Sequence, residues 1–205
     1  MIVKKITLDF FRNYVHLEAG FHPRVNVIVG ENAQGKTNLL EAVAYLSSVS
    51  SHRARYDKEM IQLGVDSAFI KGEIFSRERD YTLEANLYRG ARRQLYANGV
   101  RLKTADELSG LLNTVLFCPE DLYLIKEGAA ARRRFLDDCI CQLRPRYAVA
   151  LAEYKRLHEH KTRILKDSEE KPSLLDTLDD FSLRMAQCGA ILIHYRAHFI
   201  KRLSE

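Results

Sequence analysis

No uninterrupted apolar run in this 205-residue chain approaches the roughly 20 residues that a membrane-spanning helix requires. The opening stretch, MIVKKITLDF, carries charges where a secretory signal would need an apolar segment. The four cysteines at 118, 139, 141 and 188 include no C-x-x-C pair. Cys139 and Cys141, two apart, would face different sides of a helix, so the set reads as core thiols in a reducing compartment. These absences predict a cytoplasmic protein with no membrane partner. No serine lies in a nucleophile-elbow sequence. His194 and His198 stand four apart, a spacing that can grip a metal, but neither an adjacent Glu nor a third ligand accompanies them. Zinc-finger and recognition-helix patterns are missing too, which argues against base-specific readout. Even charge of one sign is scarce: 32 Lys+Arg against 27 Asp+Glu gives +5, compatible with a polyanionic partner without requiring one.

What is present divides into two halves. In the first, Ile6, Leu8 and Phe10 alternate with Lys5, Thr7 and Asp9, and Val15, Leu17 and Ala19 repeat the pattern, as half-buried strands do. Val25 to Val29 is more uniformly apolar and predicts a central strand covered on both faces. A helix follows Gly30, with Leu39, Leu40, Val43, Ala44 and Leu46 near 3.6-residue spacing. Residues 68–75, 81–88 and 94–102 alternate again, the last around Asn98-Gly99, a strong hairpin signal. Thr104 and Glu107 form a capping box opening a short helix to about Leu112, and Val115 to Cys118 predicts another buried strand. From Ala129 the chain reads as helical, broken at Pro145 and between Lys166 and Pro172. Leu174, Leu178, Phe181, Met185, Cys188, Leu192, Tyr195 and Phe199 form a heptad seam. That seam suits a helix packed within one domain, the simpler reading, or the root of a coiled-coil arm. The predicted division is an ATP-binding lobe over 1–120 and the start of a helical lobe over 121–205.

The stretch Gly30-Glu31-Asn32-Ala33-Gln34-Gly35-Lys36-Thr37 is a complete G-x-x-x-x-G-K-[ST]. It follows an apolar segment and opens an amphipathic helix, the context a phosphate-binding loop needs. Backbone N–H groups and the helix N-terminus supply positive potential to phosphates. Lys36 is expected on the β- and γ-phosphates of ATP, and the Thr37 hydroxyl on Mg²⁺. Hydrolysis also needs a carboxylate closing an apolar strand. Neither candidate is convincing: Pro119 interrupts 116–121 before its acids, and 135–138 lies in a helical stretch. No catalytic residue is assigned.

The segments around the loop are Phe10-Phe11-Arg12-Asn13-Tyr14, GENAQGKTNLLEAV, Ser51-His52-Arg53 and FCPEDLYLIKEGAAARRRFLD. Together they resemble the RecF family of DNA repair proteins, from the first strand to about Leu143. The resemblance implies an α/β ABC-type ATPase head, with a mixed sheet and antiparallel strands around the P-loop helix, followed by a helical lobe. It implies an ATP-dependent homodimer and weak DNA-stimulated ATPase activity. It also implies action with RecO and RecR in recombinational repair and replication, at duplex DNA near single-strand gaps. By residue, it extends the nucleotide site to Arg12, Asn13, Asn38 and Arg53, with Glu120 near a position that senses Mg²⁺ and γ-phosphate. Many relatives carry Gly where this loop has Ala33. The family's Walker B strand and signature motif lie further C-terminal, so the chain is expected to be the N-terminal portion of a longer protein. By itself it is expected to bind ATP without efficient turnover.

Basic clusters supply the DNA candidates: Arg53 and Arg55, Arg92 and Arg93, and Arg132 and Arg133. Each would track phosphates rather than read bases; each could also be a solvated face or a local ion pair. The alternative function is a P-loop kinase or another small-molecule phosphotransferase. Those enzymes usually run strand–helix–strand throughout, unlike the consecutive strands here.

Overall fold

A computed structural model of the chain describes residues 1–108, 110–118, 121, 126 and 128–205. It divides into two compact units, Met1–Pro119 and Glu120–Glu205. Unit 1 contains β1 (Ile2–Phe11), β2 (Tyr14–Gly20), α1 (Lys36–Ser48), β3 (Ser67–Ser76), β4 (Arg79–Tyr88), β5 (Gln94–Ala97) and β6 (Val100–Arg101). The six strands form one sheet in the order β2-β1-β3-β4-β5-β6, and every pairing is antiparallel. Asn98 and Gly99 both take positive φ, 51° and 76°, as the tight turn between β5 and β6 requires.

Helix α1 lies on the sheet through Leu39, Ala42, Tyr45 and Leu46, which join Ile6, Leu8, Ile70, Ile74, Leu83 and Leu87 in a continuous core. The fit is close at Gly72 on β3, where a Cβ would stand 2.6 Å from Leu46 Cδ1. Leu40, expected on the buried stripe, is instead 44% exposed.

Three other expectations are corrected. The alternation along β1 predicted Phe10 inward, but Phe10 takes φ 52° and Arg12 φ 55°, so the strand kinks. Phe11 becomes the buried side chain. The kink also lets segment 60–62 dock: Phe10 O accepts from Gln62 N at 2.8 Å, and Arg12 N donates to Met60 O at 2.7 Å. Second, Val25 to Val29 forms no strand among the described residues, and Val25, Val27 and Val29 are mostly exposed. Third, Val115 to Cys118 is not a strand either, with Val115 and Phe117 exposed. A strand buried on both faces needs hydrogen-bonding neighbours and a layer over each side; the described residues supply neither. The capping box reaches back as expected, Glu107 Oε1 accepting from Thr104 N at 3.3 Å, but it opens only a 3₁₀ turn, Ala105–Leu108.

Unit 2 contains α2 (Ala129–Leu143), α3 (Pro145–Asp167) and α4 (Leu178–Leu203), with Pro145 at the first turn of α3, where its missing N–H costs nothing. The α3–α4 pair is antiparallel: Tyr147 meets Tyr195 edge-on at 5.9 Å, while Lys161 Nζ donates to Ser182 Oγ at 2.8 Å. The heptad seam of α4 is its buried or half-buried face. That is the packing expected within one domain. Asp137 on α2 accepts from Arg196 Nη2 at 2.7 Å and from the Tyr147 hydroxyl, pinning the three helices together. Among the described residues no helix is long and apolar enough to cross a membrane.

The packing of α1 on β3 makes Gly72 a sensitive position. Gly72→Ala should destabilise unit 1 by about 1–3 kcal/mol through displacement of Leu46, read as a lower urea midpoint at unchanged slope.

Candidate nucleotide site

The P-loop spans the connection into α1. Gly30, Ala33 and Gly35 take φ 154°, 65° and 98°, bending the backbone around a concave turn. Ala33 therefore holds, with a Cβ, a left-handed conformation that costs a non-glycine residue on the order of 1 kcal/mol. Gly35 is the N-cap of α1 and makes no side-chain cap hydrogen bond. The first-turn N–H groups are thus left to an external acceptor, the arrangement in which a helix start attracts phosphate. Lys36 Nζ folds back to donate to the carbonyls of Gly30 at 2.7 Å and Glu31 at 2.6 Å. It has no carboxylate partner among the described residues, so its charge is held at the loop without being neutralised. Thr37 is exposed beside it. This donor set suits an anionic polyphosphate.

Around the loop, the structure brings together most of the other site residues singled out from sequence. Asn13 and Tyr14, at the β1–β2 turn, close over Gly35 so tightly that a Cβ there would lie 2.7 Å from Asn13 Oδ1 and 2.8 Å from Tyr14 Cζ. Asn38 Nδ2 donates to Asn13 Oδ1 at 2.8 Å, and Arg53 Nη1 donates to Asn38 Oδ1 at 3.0 Å. Arg12 is differently engaged. Its Nε and Nη2 grip both Glu41 oxygens, at 2.9 and 2.6 Å, and its Nη1 donates to Glu59 O at 2.8 Å. All of this guanidinium's nitrogens are directed at protein acceptors.

Glu41 and Ser51 lie in the segments that carry the resemblance but were given no role from sequence. Glu41 is completely buried yet charged, and the Ser51 hydroxyl donates to it. The available signal was an acid next to the apolar positions Leu39, Ala42 and Leu46. Burial by itself would push the Glu41 carboxyl up, but the hydrogen bonds from Arg12 and Ser51 and the charges of Arg12 and Arg53 outweigh it and hold it below the usual carboxylate range.

The remaining basic candidates scatter. Arg55 is exposed with its guanidinium 5.4 Å from the Tyr56 ring centre. Arg92 is exposed in the β4–β5 connection, whereas Arg93 pairs with Asp57 at 3.0 Å and is half-buried. Arg89, beside them, wraps the 61–65 segment, donating to Val65 O at 2.7 Å and Gln62 O at 2.9 Å. Arg132 and Arg133 are exposed on α2 in unit 2. Glu120 lies outside the described residues.

Two consequences can be measured. Gly35→Ala combines a disfavoured φ with a clash against Asn13 and Tyr14, and should weaken nucleotide binding by about tenfold or more while leaving the far-ultraviolet circular dichroism unchanged. The lowered Glu41 pKa means its stabilisation is fully present above the ordinary carboxylate value and lost as pH falls through the folded value. Glu41→Gln should flatten the loss of stability that sets in as pH falls below the ordinary carboxylate value, read in denaturant titrations.

Residues 5–182 match the family model described as an AAA domain. The chain is 41% identical over 206 residues to the DNA replication and repair protein RecF of Agathobacter rectalis, and 37% identical over 206 residues to RecF of Lachnospira eligens. Both alignments cover 100% of this chain but 57% of the relative, so the chain spans little more than half the length of these proteins. Among solved structures, the recombination mediator protein RecF-ATP of the RecFOR pathway superposes with TM-score 0.93 at 32% identity, covering 98% of this chain and 54% of that one. A structure from work on ATP-driven dimerization and DNA-stimulated activation of SMC ATPases matches at TM-score 0.56 and 20% identity, over 68% of this chain and 99% of that one, a likeness of fold alone. The architecture is that of an ABC-type ATPase head. The chain belongs to the AAA domain family, and over its whole length it is similar to the RecF DNA replication and repair proteins.

Proposed function

We propose that this chain forms the nucleotide-binding part of an ATP-dependent DNA-binding protein of recombinational repair. The observation that carries the reading is the Arg53–Asn38 hydrogen bond: it draws a basic turn to the first turn of the P-loop helix, one residue from Thr37. A nucleotide at the loop and a polyanion at the turn would then act on a shared set of side chains. Gly30 to Asn38 bind the phosphates of ATP. Lys36 exchanges its loop carbonyls for phosphate oxygens, and Thr37 holds Mg²⁺, which neutralises phosphate charge. Asn13 orders the loop from above, and Arg12 holds the wall behind it through Glu41. Glu120 is assigned to sensing Mg²⁺ and γ-phosphate on the strength of the family resemblance.

DNA, as duplex or as a single-strand/duplex junction, is bound through its phosphates by Arg53, Arg55, Arg92, Arg132 and Arg133, with Arg93 contributing less because Asp57 already holds it. ATP bridges two copies of the protein into a homodimer, and the complete protein turns it over weakly, stimulated by DNA. RecO and RecR are the partners, the pathway named for the ATP-bound relative being RecFOR. The kinase alternative is less well supported, because the strands after α1 form an antiparallel meander rather than strand–helix–strand units.

The test is fluorescence anisotropy of labelled duplex DNA titrated with the full-length protein, with and without Mg-ATP. ATP should tighten binding by about tenfold, Lys36→Met should abolish that gain, and Arg53→Ala should weaken binding and lessen its salt dependence. ATP binding with no effect on DNA affinity at any salt concentration would sink the proposal.

A further inference from the structure

Among the described residues Glu41 is the only completely buried charged side chain. It lies on α1 three residues beyond Asn38, so the two side chains are neighbours on one helix face. Two guanidinium groups converge on this single carboxylate. Arg12 grips it with two nitrogens and commits the third to Glu59 O, which leaves that cation neutralised and fixed. Arg53 approaches only to 3.8 Å, remains 46% exposed, and gives its hydrogen bond to Asn38 instead. The surplus positive charge of the cluster therefore rests on Arg53, beside the first turn of α1.

The same carboxylate also shapes the turn that carries Arg53. While the Ser51 hydroxyl donates to Glu41, its oxygen accepts from Arg53 N at 2.9 Å and Ala54 N at 2.8 Å. Glu41 thus holds Ser51, and Ser51 holds the turn at both amides. An apolar residue at 41 would extend the stripe of Leu39, Ala42 and Leu46 and avoid desolvating a charge, which is commonly the more stable solution for a buried site. What an apolar residue could not do is aim Arg53 at the loop.

We infer that Glu41 is a positioning residue of the nucleotide site. Through Ser51 and through its charge it holds Arg53 over Asn38, where the guanidinium meets the phosphates of bound ATP, and Arg12 anchors Glu41 in place. This rests on the reading that the P-loop binds ATP.

The experiment is a double-mutant cycle on the full-length protein, with Mg-ATP affinity measured by competition against a fluorescent ATP analogue. Glu41→Gln and Arg53→Ala should each weaken binding by roughly tenfold. The double variant should be no more than about twofold weaker than Arg53→Ala alone, because the first residue acts through the second. Additive losses, near hundredfold in the double variant, would mean that Glu41 acts independently of Arg53, and would overturn the inference. So would an Arg53→Ala protein with wild-type affinity. Should Glu41→Gln not fold, Ser51→Ala replaces it in the cycle, since it leaves the Arg12–Glu41 pair intact. Wild-type protein that does not bind ATP removes the proposed function, and this inference with it. Normal wild-type binding with an additive cycle removes the inference alone.

Discussion

The candidate nucleotide site of unit 1 depends on one buried ion pair, Arg12 with Glu41. Arg12 stands where β1 ends in a left-handed kink, and Glu41 stands on the helix that the P-loop opens. Their bidentate contact ties the end of β1 to α1, and the third guanidinium nitrogen ties both to the 57–61 segment through Glu59 O. Such a pair is costly to desolvate and costly to break, because either partner left alone would be an uncompensated charge in or near the core. The geometry of the β1–β2 turn, and with it Asn13 and Tyr14 over Gly35, is therefore set by electrostatics as much as by apolar packing.

A second consequence concerns the arginines. Several that read as surface charge serve to organise loops. Arg89 donates to the carbonyls of Ile61, Gln62 and Val65, and Arg93 joins Asp57 and the Tyr45 hydroxyl at the edge of the core. In unit 2, Arg196 does the same for Asp137 and Tyr147. Planar guanidinium groups with several donors suit this work, since one side chain can satisfy several carbonyls or a whole carboxylate. The cations left for an external polyanion are correspondingly fewer than the composition suggests. Arg53 stands out among them because its turn is held against the first turn of α1.

Much of the fold was legible in short-range pattern. The P-loop, the helix it opens, the Asn98-Gly99 turn, the antiparallel strands before it and the inward face of α4 all follow from residues a few positions apart. Their physics is local: hydrogen bonds within one turn, and side chains repeating at the period of a single helix or strand. Phe10 shows where that logic stopped, since left-handed backbone at Phe10 and Arg12 exchanged it for Phe11. Val25 to Val29 shows another limit, because apolar content predicts a buried strand only where neighbours exist to bury it.

The sequence by itself determined that this chain has a complete G-x-x-x-x-G-K-[ST] loop on a strand-rich unit followed by helices, because those features are written in spacing and in glycine. Only the tertiary structure decided which charges meet. Arg12 and Glu41 are 29 residues apart, and Arg93 and Asp57 are 36 apart. No periodicity links such positions, and any of the chain's many acids could have answered any of its arginines. The choice was made by tertiary packing, which brings α1 to the end of β1 for one pair and the 57–59 turn to the β4–β5 connection for the other.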